Sequence, residues 1–123
     1  MNFSKLERMS KESEKDVEAY LIRQLEALGG LSRKWLCPQV RGTLDQICFL
    51  PNKHIFFVEC KSEGKKPSKA QLRRAKELTQ LGHQCYYADT KEAIANIIKG
   101  EIHDKATTKS PFDLHLRYRI GQD

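Results

Sequence analysis

Between Lys11 and Leu28 the apolar residues Val17, Leu21, Leu25 and Leu28 recur at three- and four-residue intervals, followed by Gly29 and Gly30. That spacing predicts an amphipathic helix with a glycine stop. Trp35 to Val40 is ambiguous, a candidate strand interrupted by Pro38. Leu44 to Leu50 is apolar enough for a strand buried on both faces. Pro51, Asn52 and Lys53 separate it from Ile55 to Lys61, rich in strand formers, so the two runs read as a hairpin. Pro67 and Ser68 open a second helix carrying Leu72, Ala75, Leu78 and Leu81, which Gly82 ends. Gln84 to Ala88 reads as a further strand. Asp89 or Thr90 then caps a helix with Ala93, Ile94, Ile97 and Ile98, closed by Gly100.

This order of helix, two strands, loop, helix, strand and helix predicts the α/β class, with a central mixed sheet flanked by helices. A chain of 123 residues suits one domain and one modest core. Residues 1–100 carry these elements, and residues 101–123 form a C-terminal extension. There Leu114, Leu116, Tyr118 and Ile120 alternate with His115, Arg117 and Arg119, as in an added strand offering a basic face to DNA or a dimer contact. The chain-end position favours a loosely ordered tail instead.

The net charge of +6 comes from interspersed Lys and Arg, which points towards an anionic partner, nucleic acid first. The four cysteines, Cys37, Cys48, Cys60 and Cys85, form no CxxC pair and sit in apolar surroundings. Buried reduced thiols are expected, neither a zinc site nor a disulfide framework. The first residues are too charged for a signal peptide, and no apolar run reaches the ~18 residues of a membrane span. A cytoplasmic protein without a membrane partner or an organic cofactor is expected.

The chemistry concentrates at the hairpin. With a three-residue turn Leu50 pairs with His54, and counting outward sets Asp45 opposite Glu59. Opposed residues have Cβ atoms roughly 5 Å apart, where two carboxylates repel unless a cation lies between them. A four-residue turn would move Asp45 opposite Cys60 and break the arrangement. Lys61, about 6.6 Å along the strand from Glu59, projects from the same side. Paired carboxylates are the hard oxygen ligands that Mg²⁺ or Mn²⁺ takes, and an adjacent ammonium can orient a water or stabilise a phosphorane-like transition state. The plainer reading is a pair of solvated strand ends with a surface ion pair. His54, in the turn, is read as structural or exposed.

Arg41-Gly42-Thr43-Leu44-Asp45, a hairpin, Glu59-Cys60-Lys61, and then Ser68 to Gln71 opening a helix resemble the virus-type replication-repair nuclease (VRR-NUC) domain of the PD-(D/E)xK nuclease superfamily. The resemblance runs from about Glu14 to Ile98. It departs in one place, with Leu44 where the family often has Pro before the Asp. The resemblance implies that Asp45 and Glu59 bind Mg²⁺ or Mn²⁺, that the Cys60 carbonyl completes the set, and that Lys61 is the catalytic amine. It also implies a glutamate on the first helix. Glu14 lies nearer the middle of the apolar face and is preferred to Glu18.

Gln71 has two readings, a capping box with Ser68 or a side chain at the site. Arg41, Lys65, Lys66, Lys69, Arg73 and Arg74 are candidate phosphate contacts or an ordinary solvated face. Small stand-alone members of the family resemble Holliday junction resolvases that act as homodimers, which implies a structure-selective DNA endonuclease with branched DNA as substrate. A non-catalytic DNA-binding module and a restriction-type enzyme on linear DNA are the alternatives, and RNA remains open as a substrate.

Overall fold

The computed structural model describes residues 11–103 and 114–122. Helix α1 spans Glu14–Ala27, followed by strands β1 (Leu31–Lys34), β2 (Gln46–Leu50) and β3 (His54–Cys60). Helix α2 (Lys69–Gln80), strand β4 (Gln84–Ala88) and helix α3 (Lys91–His103) follow, and a 3₁₀ turn occupies Leu114–Tyr118. The sheet order is β1-β2-β3-β4, antiparallel except for the parallel β3–β4 pair.

Alternation along the strands divides the core. Cys48, Leu50, Phe56, Val58, Cys60, Tyr86 and Ala88 face α1 and α3, meeting Val17, Leu21, Leu25, Ala93, Ile94, Ile97 and Ile98. Phe57 and Cys85 point the other way, towards Ala75 of α2, Leu44 and Ile120. The result is a mixed sheet between two helical layers, the architecture the periodicity predicts. Leu44 reaches the second core without lying in β2, which begins at Gln46. That strand alternates buried and half-buried positions, so it is not buried throughout as its composition suggests.

The hairpin turn holds three residues, and Leu50 pairs with His54 as counted. Asn52 and Lys53 take left-handed φ values of 68° and 63° to close it. Three expectations need correction. Trp35 to Val40 is not a strand; the edge strand is the preceding Leu31–Lys34. Its outer residues Arg33 and Lys34 are exposed, and its buried Ser32 hydrogen-bonds Gln46 at 2.7 Å, so it carries no apolar alternation to read.

Second, Gly100 does not end the last helix, which continues to His103. A Cβ on Gly100 would lie 2.0 Å from the His115 ring, so glycine there makes room for a packed side chain. Third, the residues described after 113 are not a loose tail. Ile120 donates its amide to the Cys85 carbonyl at 2.9 Å, and Arg119 forms a single bridge with Tyr86, covering the β4 edge. Leu114 to Tyr118 is a 3₁₀ turn where the alternation suggests a strand, and residues 104–113 lie outside the described residues.

All four cysteines are free, and Cys37 alone is only half-buried. Burial pushes the Cys48 and Cys60 thiols far up and the Cys85 thiol up to about 11. His54 is structural: its Nε2 lies 2.9 Å from Glu101 Oε1, and the Tyr86 hydroxyl donates to Glu101 Oε2 at 2.7 Å. Among the described residues no helix is long and apolar enough to cross a membrane.

Candidate active site

The site lies where β2 begins, β3 ends and α1 starts. Beyond the Gln46–Val58 pair, the Asp45 amide donates to Glu59 Oε1 at 2.9 Å. The opposition counted from the turn is therefore present, with one Glu59 oxygen bonded to the Asp45 backbone. The other, Oε2, lies 3.5 Å from Lys61 Nζ. Both side chains are largely buried, 7% exposed for Glu59 and 18% for Lys61, so this pair is poorly screened by solvent.

Glu14 and Glu18 are one helical turn apart and lie on the same side of α1. One carboxylate oxygen from each and one from Asp45 all lie within 4.8 Å of one another. The choice between Glu14 and Glu18 therefore does not arise, because α1 brings both to Asp45. Glu18 also meets Lys34 of the edge strand at 3.9 Å.

Burial, with Glu18 adding its charge, pushes the Asp45 carboxyl up to about 6. Burial pushes the Glu59 carboxyl up to about 7, against the pull of Lys61. One atom is left over: Asp45 Oδ2 is buried and has no hydrogen-bond partner among the described residues. A buried carboxylate oxygen without a donor is costly unless a cation meets it. The nearby oxygens form the kind of hard donor set a small divalent cation takes.

No protein-family model matches the chain. The protein named Putative nuclease p44 of Acyrthosiphon pisum secondary endosymbiont phage 1 is 39% identical over 79 residues, covering 64% of this chain and 85% of that protein. A solved structure described as a VRR-NUC domain is similar with a TM-score of 0.66 and 32% identity, over 70% of this chain and 94% of its own. The chain belongs to the VRR-NUC family.

The Gly-x-x-Asp pattern of this VRR-NUC chain has a steric basis. Gly42 has φ of 78°, and a Cβ there would lie 2.4 Å and 2.5 Å from the backbone carbon and oxygen of Ala70. The loop that delivers Asp45 thus rests directly on the first turn of α2. Gly42→Ala is expected to destabilise the protein by about 2–4 kcal/mol, combining a left-handed non-glycine residue with backbone overlap. Urea unfolding checks this, and a loss below ~1 kcal/mol would mean that the contact yields easily.

Gln71 forms the capping box: its side-chain oxygen accepts the Ser68 amide at 2.9 Å, while its own amide donates to Ser68 Oγ at 3.1 Å. The capping reading therefore holds for the oxygen, and the side-chain NH₂ retains its donors. Arg41, Lys65, Lys66, Lys69 and Arg73 are exposed, with Lys66 above the Tyr87 ring at 5.7 Å. Arg74 differs. Its guanidinium is held by both Glu77 oxygens at 2.9 Å and 2.7 Å, so much of its charge is locally offset. Glu18 is the residue given second place by sequence; its i, i+4 relation to Glu14 is the signal that both carboxylates can reach the same neighbour.

Proposed function

We propose that this VRR-NUC chain is a divalent-metal-dependent, structure-selective DNA endonuclease that acts on branched DNA as a homodimer, in the manner of a Holliday junction resolvase. The observation that carries the reading is the Asp45 carboxylate, which has a buried, unpartnered Oδ2 and clusters with the Glu14 and Glu18 carboxylates beside the Glu59–Lys61 pair.

Asp45, Glu59, Glu14 and Glu18, with the Cys60 carbonyl, are the groups proposed to hold Mg²⁺ or Mn²⁺. When bound, such an ion supplies Lewis acidity towards a phosphate oxygen and towards water. The chain's own residues do the rest. Glu59 fixes Asp45 through its backbone amide and keeps Lys61 Nζ at the site. Lys61 orients the attacking water and offsets charge that grows on the phosphate. In this reading the Gln71 NH₂ assists from the start of α2, and Arg41, Lys65, Lys66, Lys69 and Arg73 hold flanking phosphates, which gives binding without base reading.

A two-fold dimer would offer paired sites to a two-fold branched substrate. Leu36 and Leu81 support a partner surface: they are 80% and 75% exposed and are close in sequence to Trp35 and His83, which both pack on Phe57. The nuclease domain would then run through the whole of α3 to His103 rather than stop at residue 100, with the C-terminal extension added to it.

The test is incubation of wild type and Asp45→Ala with linear duplex, single-stranded, flap and four-way-junction DNA in Mg²⁺, Mn²⁺ or EDTA. Metal-dependent cutting of the junction, lost in the variant, is expected. Binding without cutting in either metal would leave a DNA-binding module. Preferential cutting of linear duplex would sink the branched-substrate reading.

A further inference from the structure

Helix α2 carries Lys69, Arg73 and Lys76 at i, i+4 and i+7, spacing that sets side chains along one helical face. With Leu72 they line one wall of a groove of about 370 Å³. The other wall is Gly121 and Gln122 of the C-terminal segment. That wall is anchored, because Ile120 bonds Cys85 at 2.9 Å and accepts the Thr79 hydroxyl at 3.5 Å. Three of the six lining residues are cationic and none is acidic. Arg74, on the same helix, is not among them and is held by Glu77.

We propose that this groove receives the sugar-phosphate backbone of the DNA strand continuing past the scissile phosphate, which makes the C-terminal segment part of the substrate-binding surface. The choice of partner rests on the nuclease reading; the strand path goes beyond it. The Lys69 end of the groove is the end of α2 on which the loop leading to Asp45 rests, at Ala70. From Lys69 to Lys76 the helix rises about 10 Å. That exceeds the axial spacing of successive phosphates, about 3.4 Å per strand, so more than one phosphate can be met. Leu72, 40% exposed, gives the sugars an apolar surface between the cations. Gly121 adds no side-chain bulk, and the Gln122 amide can donate to a phosphate oxygen.

The experiment is fluorescence anisotropy of labelled duplex and four-way-junction DNA in EDTA across 50–300 mM salt. Without metal no cutting is read, so the outcome is independent of whether Asp45 and Glu59 support hydrolysis, which the cleavage panel decides separately. Arg73→Glu with Lys76→Glu is expected to weaken binding roughly tenfold and to lower the salt slope by about one for each lost phosphate contact. Gln122→Glu, which changes only the C-terminal wall, is expected to weaken binding several-fold. Arg23→Glu with Lys99→Glu makes the same charge change on α1 and α3, across the sheet, and is expected to lose much less. The neutral Arg73→Gln/Lys76→Gln pair, checked by circular dichroism, gives the same ranking should the reversed charges disturb folding. Equal losses in the groove and control pairs, wild-type binding by the groove pair or by Gln122→Glu, or no DNA binding by wild type would each overturn the proposal.

Discussion

Lys61→Ala is expected to cut DNA 10²- to 10³-fold more slowly than wild type while still binding it, a loss of roughly 3–4 kcal/mol of transition-state stabilisation. The magnitude follows from position. Lys61 Nζ is 3.5 Å from Glu59 Oε2 and the side chain is 18% exposed, so its charge acts where solvent screens little. A second effect follows from the same contact. Lys61 is the main influence lowering the Glu59 carboxyl, which burial already holds at about 7. Without the ammonium the carboxyl moves further up, and a larger share of Glu59 is protonated at neutral pH. Single-turnover cleavage measures the rate loss, and carboxyl NMR in EDTA follows the Glu59 titration. Lys61→Arg retains the charge but spreads it over a planar fork, so partial recovery of the Glu59 titration with little recovery of rate is expected. Cleavage by Lys61→Ala within about threefold of wild type would remove Lys61 from the chemistry.

Much of this site is legible in the sequence because the register of a hairpin follows from the length of its turn. Pro51 to Lys53 fix Leu50 opposite His54, and Glu59 meets Asp45 by counting alone. The helices were equally readable, since Val17, Leu21 and Leu25, or Ile94, Ile97 and Ile98, mark one buried face each. Strand β1 was hidden because an edge strand with Ser32 inward and Arg33 and Lys34 outward has no hydrophobic period. The role of Gly100 was hidden because a glycine that receives a distant ring looks, in one dimension, like one that stops a helix. Gln71 shows a third case, in which the capping motif read from Ser68 is real and still leaves the NH₂ available. The acidic face of α1 was half legible: the family resemblance implied one glutamate there, periodicity ranked Glu14 ahead of Glu18, and only the packing of α1 beside Asp45 shows that both converge on it.

Removing the ability of Asp45 to ionise is expected to stabilise the metal-free protein at pH 8 even though it ends activity. The Asp45 carboxyl rises from 3.8 to about 6 and the Glu59 carboxyl from 4.5 to about 7, so between these limits the folded protein holds protons that the unfolded chain has released. Stability from these groups is fully present below about pH 4 and is lost as pH rises through 6 and 7. Asp16, the helix-cap carboxylate, is shifted down and its contribution is lost only as pH falls below its ordinary range, outside this window. In EDTA, therefore, Tm is expected to fall from pH 5 to pH 8, with a shallower fall in Asp45→Asn. A divalent cation favours the ionised carboxylates, so Mn²⁺ should raise Tm strongly at pH 8 and little at pH 5. At a hundredfold excess over Kd the gain is about 2.7 kcal/mol. Asp45→Asn should forfeit most of that gain. Thermal melts at the two pH values, with EDTA or Mn²⁺, measure all of these terms. If Mn²⁺ stabilised the variant as much as wild type, the ion would bind elsewhere. If Tm in EDTA rose from pH 5 to pH 8 in wild type and variant alike, the buried pair would not be the strained feature that metal relieves.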